Sequence, residues 1–431
     1  MVKSEILRPP TTLRRNTDRS HTRRLVCIGD SITQGTAGGP PFATAVSQGW
    51  VKLLAASLER ATGPRRGDGF RGLWRLDEWS HEGSWLHPSP AELFDVGPFG
   101  YAAYSSAVGD AVLTWSKPPD VTVECFDIWS FRMPDAGDWQ FRIDDGPWIN
   151  TCTLEADPTG GIISISVDTP VARRVQVRGN DGTGGCVAPI LGIEPYRSKD
   201  SHPSGATVHN LGCNNSLLSQ FCRDSSGDAL AILDRIHPDV VTIMFSNDVL
   251  ADDRNRFGGH LKKVVDRVQR SAAVLLISPY EQRPPRFITD LVSRQGDATV
   301  TSAAAGFSNL DLGLTIRGDD ISADATVMAV SGPTVAILSN PATGSGKHGT
   351  VTIGEGRSAA TQACYRSMTR QIAETEGCAY LDLFEVWAGI AGPGWDAAWA
   401  AGLMHDRLHP SQIGHGKIAA AIETVLGIKA V

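Results

Sequence analysis

Five short apolar runs, each closed by small or polar residues and most followed by a stretch of helical periodicity, constrain this chain more than any other feature. They fall at 25–28, 206–211, 240–245, 273–278 and 379–384. Apolar runs of this length, bounded by turn signals, read as buried strands. Helical patterning lies between and after them, at about 48–62, 227–236, 256–271, 359–375 and 411–426. In the first of these helices Trp50, Leu53, Leu54 and Leu58 share one face, and the last is approached by Pro410 and stopped by Gly427. Such alternation predicts an α/β fold with a parallel sheet covered on both faces.

Two stretches break the pattern. Between about 63 and 204, alternating segments at 121–126, 139–143, 162–167 and 175–178 are separated by turn signals such as Asp144-Asp145-Gly146-Pro147 and Asn180-Asp181-Gly182. That texture predicts an inserted antiparallel β-sandwich. A second stretch, about 284 to 356, is rich in Thr, Ser, Gly, Ala and Val and predicts a small all-β module. The expected organisation is a flexible arm over 1–22, a core assembled from 23–62, 205–283 and 357–431, a sandwich over 63–204 and the small module over 284–356. The chain's 431 residues exceed one ordinary domain, whereas the core without its insertions has an ordinary size.

The chemistry-bearing residues sit at the ends of the apolar runs. Ser31 lies on the turn after the first, in Gly29-Asp30-Ser31. A serine hydroxyl becomes a useful nucleophile when a base takes its proton and donors steady the resulting oxyanion. Near the other end, Asp406 and His409 offer a carboxylate and an imidazole three residues apart, and Asn247 follows the run at 240–245. Ligands of open parallel sheets bind beyond the carboxyl ends of the strands, where Ser31, the 210–215 loop and Asn247 would meet.

In this order, Gly29-Asp30-Ser31, Asn210-Leu211-Gly212, Asn247 and Asp406-x-x-His409 resemble the SGNH (GDSL-type) esterases and acetylhydrolases. The resemblance implies a flavodoxin-like three-layer α/β/α core. It also implies that Ser31 is the nucleophile, His409 the general base and Asp406 the residue that orients the imidazole. The oxyanion donors would be the Ser31 N–H, the Asn247 side chain and a backbone N–H of the second block, at Asn215 or alternatively Gly212. Two positions depart from the family pattern. Phe245 stands where its third block has glycine, and Asn215 where its second block ends in glycine.

Other classes are disfavoured. The net charge of −7 is spread in both signs, leaving no basic footprint for nucleic acid and no basic amphipathic segment for a membrane surface. The first 24 residues are polar and arginine-rich, so a soluble chain made in the cytosol without a signal peptide is expected. Eight cysteines form no C-x-x-C pair and read as free thiols, with Cys125, Cys152 and Cys186 able to pair under oxidation. His405, His409 and His415 match no compact metal motif, and Gly344-Ser345-Gly346-Lys347 lacks the first glycine and the hydroxyl of a phosphate loop. No metal or cofactor is expected.

Tryptophan is concentrated between Trp50 and Trp148, with eight of the chain's eleven. Trp115, Trp129, Trp139 and Trp148 are expected in a sandwich core, whereas Trp74, Trp79 and Trp85 are candidates for stacking on sugar rings. The expected function is a metal-independent serine esterase removing acetyl or another short acyl group from a carbohydrate. Thr/Ser/Gly-rich β-modules on such a core also resemble bacteriophage tail or receptor-binding proteins. That implies display on a virion, a bacterial envelope glycan as substrate, other tail proteins as partners and a homo-oligomer, for which no heptad pattern is present. The alternatives are a binding scaffold on the same core, favoured by Phe245 and Asn215, and an acyltransferase using the same serine.

Overall fold

The computed structural model describes residues 23–36, 49–64, 67, 69–73, 78–83, 85–86, 104–105, 111–118, 125–132, 139–151, 161–168, 174–179, 190–197, 206–222, 229–251, 254–354 and 356–428. Five strands, β1 (Arg24–Gly29), β2 (Thr207–Gly212), β3 (Val240–Met244), β4 (Ala273–Ser278) and β5 (Ala379–Asp382), form one sheet in the order β2-β1-β3-β4-β5. Every pairing is parallel. This is the doubly wound 2-1-3-4-5 order, whose switch point lies between β1 and β3.

Side chains alternate across a strand, so each strand feeds two cores. Val26 and Ile28 of β1 face one way, with Val241, Ile243, Val274 and Leu276. There they meet α3 (Ala229–Ile236), α4 (Arg254–Val268) and α5 (Ala359–Glu376) through Leu233, Leu261, Val265, Tyr365 and others. Leu25 and Cys27 face the opposite way. They pack against α2 (Trp50–Thr62), α6 (Leu383–Ala391), α7 (Trp395–Ala400) and α8 (Gln412–Leu426). The three layers of the expected α/β/α core are therefore present. One short helix, α1 (Ser31–Gln34), follows β1 directly.

The last block differs from expectation in one respect. The run at 379–384 leaves the strand at Asp382, whose carboxylate caps α6 by accepting from the Phe384 N–H. The Trp395–Ala400 segment is the helix α7, with the Trp395 and Trp399 rings stacked 5.1 Å apart.

The first insertion contains two antiparallel sheets. One holds Gly161–Asp168, Cys125–Arg132, Ile190–Tyr196 and Arg71–Gly72, and the other Trp79–Glu82, Val112–Ser116, Arg174–Gly179, Trp139–Ile143 and Ile149–Thr151. Trp115, Trp139, Leu113, Phe126, Phe141 and Val177 fill the space between them. Trp129 is buried too, against Phe70 at 4.9 Å, on the side that joins the α/β core. Trp148 corrects the expectation, since it is only half-buried, beneath two arginines. Trp79 corrects it in the other direction. It is 8% exposed and belongs to the sandwich core, so it offers no ring face to a sugar. Trp74 and the side chain of Trp85 lie outside the described residues, as do Cys152 and Cys186.

The 284–356 stretch forms a three-stranded and a five-stranded antiparallel sheet around Ile288, Val300, Phe307, Ile316, Val327 and Val351. Arg283 and Arg286, on the segment leading into it, both pair with the fully buried Asp311.

Two buried histidines pin the insertion and the last helix to the core. His209 of β2 accepts from the Phe70 N–H at 3.1 Å, and burial, helped by the Arg24 charge, pushes its pKa down to about 3. His415 of α8 accepts from the Trp50 N–H at 3.3 Å and donates to the Thr36 carbonyl at 3.2 Å. Burial lowers its pKa to about 4 despite that carbonyl. Both rings are neutral in the fold but charge in the unfolded chain below the ordinary value of 6.5. The unfolded state thus binds more protons between pH 6.5 and 4, and stability falls as pH drops through that window, by on the order of 3 kcal/mol per ring. Urea unfolding between pH 7 and 4 should show this slope, and His415→Gln should flatten it. A wild-type midpoint independent of pH over that range would refute the assignment.

Candidate active site

The site is built where β1, β2 and β3 end. Gly29 permits the close approach: a Cβ there would collide with the Thr33 side chain and the Met244 carbonyl. The next residue, Asp30, caps α1 through Oδ1, which accepts from the Ile32 N–H at 3.0 Å. Its Oδ2 accepts from the Ser246 N–H at 2.6 Å, the Ser246 hydroxyl at 2.5 Å and the Asn247 N–H at 2.9 Å. One fully buried carboxylate therefore fastens the turn after β3 to the turn after β1. The sequence singled out Ser31 but not this neighbour. Its partners are 216 or 217 residues away, and no local pattern announces them.

Ser31 opens α1, and its Oγ lies 2.9 Å from His409 Nε2 across 378 residues of sequence. His409 Nδ1 lies 2.8 Å from Asp406 Oδ2. A carboxylate only accepts, so the imidazole donates through Nδ1 and presents the Nε2 lone pair to the serine hydroxyl. Asp406 Oδ1 also accepts from the Leu408 and His409 N–H groups, at 2.7 and 2.6 Å. Burial raises the Asp406 pKa, but the hydrogen bonds and charge of His409, with those two N–H groups, outweigh it and leave the carboxyl below its ordinary value of 3.8. The acid is thus ionised wherever the histidine works as a base.

Asn247 lies beside the serine turn. Its Nδ2 donates to the Ser216 carbonyl at 3.3 Å, which takes one of the amide's two donors. Ser216 in turn donates to the Cys213 and Gly29 carbonyls, so the 213–216 loop is held against the same edge. Asn215, in that loop, is exposed with φ of 57°, a left-handed conformation that asparagine tolerates. Gly212, the alternative donor, donates through its N–H to Asn210 Oδ1 at 2.9 Å. It has another role: a Cβ there would collide with the Gln34 backbone, so its absence lets β2 pack on α1. Phe245 points away from the site, into the core against Phe221 with ring centroids 6.4 Å apart.

A further segment, unmarked in the sequence, braces both halves. Tyr280, stacked on Trp387 at 4.0 Å, donates its hydroxyl to the Leu408 carbonyl at 2.7 Å. The Arg283 N–H donates to the Arg407 carbonyl at 3.0 Å, and Gln282 Nε2 to the Ser246 carbonyl at 3.0 Å. The loop carrying the histidine and the turn carrying the asparagine thus hang from one stretch after β4. Among the described residues no group of three His, Cys, Asp or Glu could hold a metal ion, and no helix is long and apolar enough to cross a membrane.

Fold and geometry define an α/β protein with a Ser-His-Asp hydrogen-bonded relay at the switch point of its sheet. A solved peptidoglycan O-acetylesterase matches it with a TM-score of 0.55 and 14% identity, covering 97% of this chain and 95% of that one. At that identity the match shows a shared fold. A catalytic mutant of an acetylxylan esterase from Geobacillus stearothermophilus matches at a TM-score of 0.30 and 15% identity, over 53% of this chain and 75% of that one. A family 35 carbohydrate-binding module from Clostridium thermocellum matches at a TM-score of 0.22 and 11% identity, over 30% of this chain and 98% of that one. No protein-family model and no curated protein matches the sequence. None of the three structures named here is a phage tail protein, so the resemblance to tail proteins gains nothing from them.

Proposed function

We propose that the chain is a serine esterase that removes acetyl or another short acyl group from a carbohydrate. The observation that carries this reading is the relay from Asp406 through His409 to Ser31, with both links shorter than 3 Å: 2.8 and 2.9 Å. In the reaction, Ser31 Oγ attacks the ester carbonyl carbon while its proton passes to His409 Nε2. The tetrahedral oxyanion is met by the Ser31 N–H, the second Asn247 amide hydrogen and the Asn215 N–H. Collapse breaks the bond to the sugar oxygen, which takes the proton from His409 and leaves as an alcohol. Water, deprotonated by the same imidazole, then cleaves the acyl-serine and releases the carboxylic acid.

The substrate to test first is O-acetylated peptidoglycan, the substrate class named for the solved structure that shares the fold. Acetate release from O-acetylated envelope polysaccharides, with Ser31→Ala as control, supports the reading. Binding without any release supports the scaffold reading, and acyl groups appearing on an added sugar acceptor support transfer. Asn247→Ala should lower turnover by roughly 10²–10³-fold, the usual effect of removing one oxyanion donor, without a change in melting temperature beyond a few degrees. Wild-type turnover in that variant would remove Asn247 from the site.

A further inference from the structure

The outer face of the five-stranded sheet in the first insertion carries a pair of arginines that no carboxylate among the described residues pairs with. Arg142 sits opposite Gln176, and Arg178 opposite Gln140, on neighbouring antiparallel strands. The two arginines are therefore diagonal neighbours on one face of the sheet, within reach of each other's long side chains. Each is held by the glutamine across from it: Arg142 Nε donates to Gln176 Oε1 at 2.7 Å and Arg178 Nε to Gln140 Oε1 at 2.8 Å. The glutamines pass the bond outward in opposite directions, Gln176 Nε2 to Thr114 Oγ1 at 3.2 Å and Gln140 Nε2 to Asn150 Oδ1 at 2.5 Å. Both guanidinium carbons lie over the Trp148 ring, 4.6 and 4.1 Å from its centroid.

This is an expensive arrangement to leave without a purpose. Two like charges side by side repel, and the indole face offsets only part of that through its quadrupole. Neither arginine forms an ion pair among the described residues. The nearby carboxylates serve Arg174: Asp145 pairs with its guanidinium at 2.5 Å, and Asp144 accepts its backbone N–H at 3.0 Å. Glu82, on the same face, is two strands away from Arg178. Among the described residues no partner meets the edge of each guanidinium that bears its two terminal nitrogens, and Nε is tied down. A planar two-donor edge matches a carboxylate. Beside them, Thr114, Gln140 and Asn150 offer amides and a hydroxyl that match the hydroxyls of a sugar chain, while Gln176 is buried and anchors Arg142.

We propose that this face is a binding platform for a carboxylated glycan, with Arg142 and Arg178 each taking a carboxylate and Trp148 holding both forks in place. It lies outside the serine site and does not depend on the ester chemistry, and it would tether the chain to an acidic polysaccharide.

The test uses the full chain and three polymers in calorimetric titration: polygalacturonate, its carboxyl-reduced neutral form, and dextran sulfate. Wild type should bind polygalacturonate and show at least tenfold weaker binding to the other two. The Arg142→Gln/Arg178→Gln double variant should lose at least tenfold in affinity for polygalacturonate while keeping its melting temperature and its turnover of p-nitrophenyl acetate. Should that variant fail to fold, Arg142→Lys/Arg178→Lys, which keeps the charge but not the fork, should still lose several-fold. Unchanged affinity in the folded variant, or equal binding of the neutral polymer or of dextran sulfate by wild type, overturns the proposal. An inactive esterase that binds polygalacturonate through these arginines would leave it standing, so its failure and that of the proposed reaction are separable.

Discussion

Alanine in place of Ser31 is expected to lower hydrolysis of p-nitrophenyl acetate by about 10⁴–10⁶-fold, and His409→Ala should do nearly as much. The size of the loss follows from the relay. In the proposed reaction Ser31 supplies the bond-forming oxygen, and His409 Nε2 lies 2.9 Å from it. Because the two act as one unit, the double variant should be scarcely slower than either single one. The residual rate would come from the donors around the oxyanion, which neither change removes. Both single variants should unfold at nearly the wild-type temperature, since each deletes only a polar contact at the sheet edge. A Ser31→Ala protein with more than a tenth of wild-type turnover would sink the assignment of the nucleophile, and a His409→Ala protein with that activity would sink the assignment of the base.

The second large effect should come from a residue that does not touch substrate. Asp30→Ala removes the acceptor for three N–H groups and one hydroxyl, those of Ile32, Ser246 and Asn247. Ser246 is fully buried and Asn247 nearly so, so their N–H groups would be left unpaired away from water. Losing a buried carboxylate with several donors costs about 3–5 kcal/mol. The turn that carries Asn247 would also lose its tether to the serine turn. We expect a clear drop in the urea midpoint together with a fall in turnover of at least 10²-fold, as for loss of an oxyanion donor. Asp30→Asn should keep the Ile32 bond but point donors at donors across the two turns, giving a smaller loss of both. Wild-type midpoint and turnover in the alanine variant would show that the tether is dispensable.

The sheet and the relay were legible in the sequence for different reasons. Runs such as 240–245 must be buried somewhere, and alternation with helices leaves few arrangements besides a parallel sheet. Ser31, Asp406, His409 and Asn247 were legible because their residue types and order form a set. What stayed hidden depends on long-range contact. Asp30 looks like any turn aspartate, and Tyr280 and Gln282 sit in an unremarkable Pro-Tyr-Glu-Gln-Arg stretch until the fold brings Leu408 and Ser246 to them. Burial of individual tryptophans was equally opaque: Trp79 and Trp148 share a texture of short strands and turns, yet one faces the sandwich core and the other the outer sheet surface.

The span between nucleophile and base, 378 positions, has a consequence for how activity arises during synthesis. A ribosome delivers Ser31 well before the imidazole, which follows both β-rich inserts. If the proposed reaction holds, every product truncated before His409 would be chemically silent, however well its completed portions have folded, and ester cleavage would begin only when α8 closes onto α2.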